Sequence, residues 1–376
     1  MLQTRSMESI FDDLSIVGHK PPVSNEELTD AEVQTQLAAL RQELGERVVV
    51  LGHHYQQDDV IALADYTGDS LELARKAVEL TKPEFIVFCG VHFMAETADM
   101  LTMGKKTVIL PDLRAGCSMA DMANRRDIDR AWSFLTQHSS GKITPITYIN
   151  CAASLKSFVG ENGGAICTSS NAEKIITWGL QQGEKLLFFP DQHLGRNTCF
   201  KLGIPLEQMV VYDPRRENGG LTAEQVRDAK VILWYGYCSV HQGFNVEQVA
   251  HWRKTDPTRT VIVHPECSFD VVQASDLAGS TSYIINTIKA AAAGARFAVG
   301  TEINLVNRLA RQFPDKDIQS LSPYQCLCTT MYRVRPRWML ESFRAIQRGT
   351  PTNVIRVDEE TRKWGLLALD RMLAIV

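Results

Sequence analysis

No run of about 18 uncharged apolar residues occurs in the sequence, which excludes a transmembrane helix. Positive charge is not in excess either: 40 Lys+Arg stand against 44 Asp+Glu, for a formal net charge of −4. That balance argues against a general nucleic-acid or anionic-membrane binder. Met1–Lys20 carries Glu8, Asp12 and Asp13 and lacks the apolar stretch of a secretory leader, so the expected location is the cytoplasm. Low-complexity segments are missing too. What is present is ordinary globular composition, 44% hydrophobic and 22% charged, over 376 residues. Nine cysteines in a chain expected to sit in a reducing compartment read as ligands, catalysts or core residues rather than disulfides.

Residues 1–28 read as a flexible N-terminal extension, with Pro21-Pro22 and no sustained periodicity. Thr29-Asp-Ala-Glu32 has the pattern of a capping box and predicts a helix to about Leu44. Val48–Leu51 reads as a buried strand. Further apolar runs at Phe85–Phe88, Thr107–Leu110, Ile146–Ile149, Leu186–Phe189, Met209–Tyr212, Val231–Trp234 and Thr260–Val263 alternate with helical stretches. Such alternation predicts parallel sheets covered by helices, an α/β fold. Asp213–Gly220 is the best linker candidate, and Thr222-x-x-Gln225 after it is a second capping box.

An internal repeat carries more information. Three times a strand ends in polar residues, a Ser-containing turn opens a helix, and a second strand ends in another polar cluster. The first copy reads His53-His-Tyr55, Gly68-Asp-Ser70 and Met94-Ala-Glu96. The second reads Tyr148-Ile-Asn150, Thr168-Ser-Ser170 and Asp191-Gln-His193; the third reads His264-Pro-Glu266, Gly279-Ser-Thr281 and Gly300-Thr-Glu302. After each copy comes a loop cysteine: Cys117, then Cys238, then the Cys326-Leu-Cys328 pair. Three like units packed about one axis would bring three thiolates together, which suits a 4Fe-4S cluster with one iron lacking a protein ligand. Zinc on Cys326 and Cys328 is the alternative, weakened because no second pair with suitable spacing is present. Cys89 and Cys167 sit in apolar runs and read as core.

The Ser turns have two readings. Ser and Thr are preferred helix caps, but three helix starts aimed at one centre would also bind about three anionic groups. His53, Tyr55, Tyr148, Asn150, His264 and Glu266 sit at expected carboxyl ends of strands, where parallel α/β folds bind ligands. His264 and Glu266, two residues apart, form a candidate pair for proton transfer.

In these motifs, and in Gly90–Thr97, Pro190–Gly195 and Cys328-Thr-Thr-Met331, the chain resembles the quinolinate synthases, iron–sulfur enzymes of de novo NAD biosynthesis. The resemblance runs from about Val48 to Val376. It implies three pseudo-threefold-related αβα sandwich domains with small parallel sheets around a central iron–sulfur site. On this chain the expected spans are 29–125, completed by helices in 334–376, then 126–220, then 221–333 with the cluster loop. The implied reaction condenses iminoaspartate with dihydroxyacetone phosphate to quinolinate, phosphate and water. L-aspartate oxidase is the implied source of iminoaspartate; no nucleic-acid or membrane partner is expected.

By the same resemblance the cluster ligands are Cys117, Cys238 and Cys328, the last preferred over Cys326 because the family ligand precedes x-x-Met. His53, Ser70 and Ser169 resemble contacts to the dicarboxylate, and Ser280 and Thr281 a phosphate-binding pair. Tyr148, Asn150, His241, His264 and Glu266 resemble the lining of the reacting centre, and Tyr55 a proton-transferring residue. Two rivals stay open at this point. A cluster-bearing sensor would need none of the Ser turns, and a cluster-dependent hydro-lyase on hydroxy acids would not need Ser280 or Thr281.

Overall fold

The computed structural model describes residues 28–375 apart from Gln325, so the expected extension at residues 1–27 lies outside the described residues. The first helix, Asp30–Leu44, starts where its capping box puts it. The Thr29 hydroxyl accepts from the Glu32 amide while the Glu32 carboxylate accepts from the Thr29 amide. Both bonds satisfy N–H groups that a helix start leaves free. Thr222 and Gln225 repeat the arrangement at Ala223–Asp228. None of the described helices is long and apolar enough to cross a membrane.

Apolar, β-branched segments build three small parallel sheets flanked by helices, as the α/β expectation requires. The first holds β1 (Val48–His53), β2 (Tyr66–Gly68), β3 (Phe85–Cys89) and β4 (Thr107–Ile109), in the order β4-β3-β1-β2. The second holds β5 (Ile143–Tyr148), β6 (Ala165–Cys167), β7 (Lys185–Phe189), β8 (Met209–Tyr212) and β9 (Val231–Trp234), in the order β6-β5-β7-β9-β8. The third holds β10 (Thr260–Val263), β11 (Leu277–Ala278), β12 (Arg296–Gly300) and β13 (Asp317–Ser320), in the order β11-β10-β12-β13. A late strand, β14 (Val354–Ile355), returns to pair antiparallel with β4.

The repeat is written into this topology. In each sheet the first strand lies between the second and the third: β1 between β2 and β3, β5 between β6 and β7, β10 between β11 and β12. The connection leaving the first strand therefore runs to one side and that leaving the third to the other, and a crevice opens between their carboxyl ends.

Two boundaries differ from expectation. The second sheet does not stop before residue 221, because β9 pairs with both β7 and β8 and runs to Trp234. Without β9, β8 would have no partner for its backbone groups. Asp213–Gly220 is accordingly a turn inside the second unit, where Gly219 at φ 68° lies against the Tyr212 ring. The C-terminal segment is also shared out. The helix Pro336–Gln347 packs on Asp30–Leu44 and β14 extends the first sheet, but the helix Glu359–Ala374 lies on Ala153–Glu161 and β6 of the second unit. That approach is close enough that a Cβ on Gly160 would stand 1.9 Å from the Trp364 carbonyl oxygen.

Candidate functional site

His53 is the last residue of β1, Tyr148 is the last of β5, and His264 directly follows β10. The helices after the second crossovers begin alongside them. Ser70 opens Ser70–Glu79, Thr168 and Ser169 lie in the turn before Ala172–Gln182, and Thr281 opens Thr281–Ala290. Cys117, Cys238 and Cys328 arrive on the loops beyond. One cavity is lined by all of these, together with Tyr55, Asn150 and Glu266.

Two residues expected at the site do not line that cavity. His241 stands behind Glu266, fully buried. Ser280 is a helix cap, its hydroxyl accepting from the Tyr283 amide. Capping engages the other helix starts unequally. Asp69 takes the amides of Leu71 and Glu72, whereas the helix Ala172–Gln182 has no side-chain cap.

Hydrogen bonds and one close His–carboxylate contact run through the polar residues of the three units. The Tyr55 hydroxyl lies 3.0 Å from the Thr281 hydroxyl and 2.8 Å from that of Thr301. Thr301 lies 3.1 Å from His241 Nε2. On its other side His241 Nδ1 is 2.9 Å from Glu266 Oε2, although poorly aligned for a hydrogen bond. The Tyr148 hydroxyl donates to Glu266 Oε1 at 2.6 Å, and His264 stacks on the His241 ring at 4.6 Å.

Burial sets the protonation states. It holds Tyr55 and Tyr148 well above the usual phenol range, with the Glu266 charge adding to the effect, so both stay protonated. It pushes His53 and His264 down to about 3, leaving both neutral. For Glu266 burial opposes the charge but is outweighed by the neighbouring imidazoles and the Tyr148 hydrogen bond, and the carboxyl sits below the usual carboxylate range. A neutral His264 supplies no positive charge, so we assign that stabilisation first to the hydrogen bond donated by Tyr148. The result is an ionised carboxylate beside a neutral imidazole, with two protonated phenols in reach.

Desolvation governs the thiols as well. Burial pushes Cys117 up to about 12, and Cys238 and Cys328 also stand above the ordinary thiol value. The Cys328 charge raises Cys117 further, and Glu302 does the same to Cys328. Three half-buried thiols on one cavity ionise together only around a strongly cationic group, and that donor set suits an iron–sulfur cluster. Two buried polar atoms here lack an aligned partner, His241 Nδ1 and the cavity-lining Asn150 Oδ1. Such atoms are costly to bury and fit a site made to receive a polar ligand.

Two participants were not singled out from the sequence. Thr301 bridges Tyr55 and His241, and the Asp69 carboxylate accepts from Ser282 at 2.9 Å and Ser170 at 3.4 Å, tying all three units beside the cavity. Both lie inside repeat motifs, in Gly300-Thr-Glu302 and Gly68-Asp-Ser70, and repeat position was the signal that could have found them.

A family model described as Quinolinate synthetase A protein matches residues 35–374. Among curated proteins, the chain is 53% identical to quinolinate synthase from Geobacillus thermodenitrificans over 346 residues, covering 92% of this chain and 94% of that one. It is 51% identical to quinolinate synthase from Anoxybacillus flavithermus over 353 residues, covering 94% and 96%. With quinolinate synthase from Bacillus subtilis the identity is 50% over 368 residues, covering 98% of this chain and all of the relative.

Proposed function

The chain belongs to the quinolinate synthetase A family, and from that premise we propose that it condenses iminoaspartate with dihydroxyacetone phosphate to quinolinate in de novo NAD biosynthesis. One observation carries the reading: hydroxyl-bearing helix starts from three units and loop thiols from three units meet on one cavity. Two carboxylates and one phosphate are the three anionic groups such a cavity would serve. Ser70 and Ser169 would take the dicarboxylate, and Thr281, at the helix start that Ser280 caps, the phosphate.

Cys117, Cys238 and Cys328 would hold a 4Fe-4S cluster, which when bound supplies a Lewis-acidic iron free of protein ligands. The chain's own residues handle the protons. Glu266, ionised and steered by Tyr148, is the base for a carbon-bound proton next to a carbonyl. The imidazole of His264 beside it stays neutral, and its Nδ1 accepts from the Glu266 amide at 3.3 Å, which helps to orient the base. Tyr55, held protonated, is the acid that donates to a departing or developing oxygen. Thr301 and His241 lie between Tyr55 and Glu266, and a small turn of the His241 ring toward Glu266 Oε2, 2.9 Å away, would complete a proton route from the base to the acid.

The test is quinolinate formation from both substrates by anaerobically purified protein, with iron and sulfide measured in parallel. Turnover with about four iron and four sulfide per chain is expected. A fully loaded protein that forms no quinolinate sinks the assignment in favour of a sensor. A second reading is a single metal ion on Cys238, His241 and Glu266, whose ligand atoms lie within 4.8 Å of one another. It requires neither Cys117 nor Cys328.

Replacing Ser280 and Thr281 together by Ala should raise the KM for dihydroxyacetone phosphate roughly tenfold or more, since the Thr281 hydrogen bond to a charged group is worth about 1.5–3 kcal/mol and loss of the Ser280 cap loosens the helix start that presents it. Affinity for a dicarboxylate inhibitor should hardly change. The Ser280→Ala single variant separates out the cap, which costs about 1 kcal/mol of stability. An unchanged KM in the double variant leaves the pair as a helix start only.

A further inference from the structure

Tyr55 sits on a short irregular stretch between β1 and the next helical turn, where backbone carbonyls have no strand to pair with. Three consecutive carbonyls of that stretch are instead taken by one helix of the third unit, Ile303–Gln312. Arg308 donates to the His54 carbonyl at 2.7 Å and to the Gln56 carbonyl at 2.5 Å. Between them, the Asn304 amide donates to the Tyr55 carbonyl at 3.3 Å. The Arg308 guanidinium, 12% exposed, completes its set on the Asp58 carboxylate at 2.9 Å. The same helix is preceded by Thr301, whose hydroxyl meets the Tyr55 phenol. Both ends of Tyr55, its backbone and its hydroxyl, are thus fixed by one segment of another unit.

We propose that Arg308, assisted by Asn304, is a positioning residue for Tyr55: it clamps the carbonyls on either side so that the phenol is delivered to Thr281 and Thr301. A planar guanidinium can bridge two carbonyls and a carboxylate at once, and an ammonium on a flexible stem cannot hold that geometry. The cost of losing the clamp falls on catalysis because a misplacement of about 1 Å can lower a rate on the order of 100-fold. The proposal rests on the reading of Tyr55 as the proton donor.

The experiment is a double-mutant cycle on the cluster-loaded enzyme, with hydrogen–deuterium exchange of residues 54–58 measured alongside. Arg308→Ala should lower kcat roughly 10- to 100-fold with KM for both substrates within about twofold, iron content retained, and faster exchange at 54–58. Arg308→Lys should recover only part of the loss, and Asn304→Ala should show a smaller effect of the same kind. In a Tyr55→Phe background, Arg308→Ala should cause little further loss. Unchanged exchange at 54–58 overturns the clamp whatever the activity does. Losses that multiply across the cycle overturn its action through Tyr55. Wild-type turnover in Tyr55→Phe alone would sink the proton-donor reading and, with it, the catalytic part of this proposal, while the exchange result would still decide the clamp. If Arg308→Ala does not fold, Arg308→Lys in the same cycle gives the deciding comparison.

Discussion

Changing Cys117, Cys238 or Cys328 to Ala removes bound iron and quinolinate formation together, whereas Cys89→Ala and Cys167→Ala keep the brown chromophore. The contrast follows from where the thiols lie. Cys117, Cys238 and Cys328 line the cavity on three separate loops, while Cys89 and Cys167 end strands β3 and β6, fully buried among apolar side chains. A cluster held at three corners cannot keep its nuclearity when one corner is lost. The core variants lose a little packing, as for any small buried hydrophobe. Iron and sulfide content and the visible absorption of anaerobic protein are the measurements. Full iron with full activity in Cys328→Ala would remove that residue from the ligand set. Metal that survives both Cys117→Ala and Cys328→Ala would favour the single-ion site on Cys238, His241 and Glu266.

Glu266→Gln should lower quinolinate turnover by about 10²–10⁴-fold, the usual contribution of a general base. The substitution is nearly isosteric, and its carbonyl oxygen can still accept from Tyr148, so the fold should survive. What it removes is the negative charge that lets the side chain take a proton. His264, held neutral by burial 3.8 Å away, is a weak base and replaces little of that function. The readout is anaerobic turnover per intact cluster, with thermal unfolding followed in parallel. Wild-type turnover would move the base elsewhere. Loss of iron in this variant would instead give Glu266 a role in holding the Cys238 loop.

Much of the fold was legible because its central strands are apolar runs with buried side chains on both faces. β8, β9 and β10 have the same limits in the structure as in the sequence. β2, β6, β11 and β14 were not seen. They are two or three residues long and pair because a neighbour offers an edge, which is not a property of their own residues. β13, Asp-Ile-Gln-Ser, has one apolar side chain to announce it. The site was legible where a residue type stood at a strand end or a helix start, since the repeat marked those places three times. The bonds among those residues were not, because Tyr55 and Thr301 lie 246 positions apart. The landing place of the helix Glu359–Ala374 was hidden for a related reason: a buried helical face does not name the surface that buries it.

The return of β14 to the first sheet has a consequence for how the chain is made. Asn353, beside β14, binds the Pro111 carbonyl from 242 positions away. At a synthesis rate of about 5–20 residues per second, β4 waits on the order of ten to fifty seconds for its outer partner to emerge from the ribosome. Through that interval the first unit carries an open strand edge, the kind of surface that pairs with other chains. A nascent chain halted before residue 354 would keep that edge open for good. Once β14 has covered β4, that end of the sheet presents only a two-residue strand, too short to be a good template for another chain.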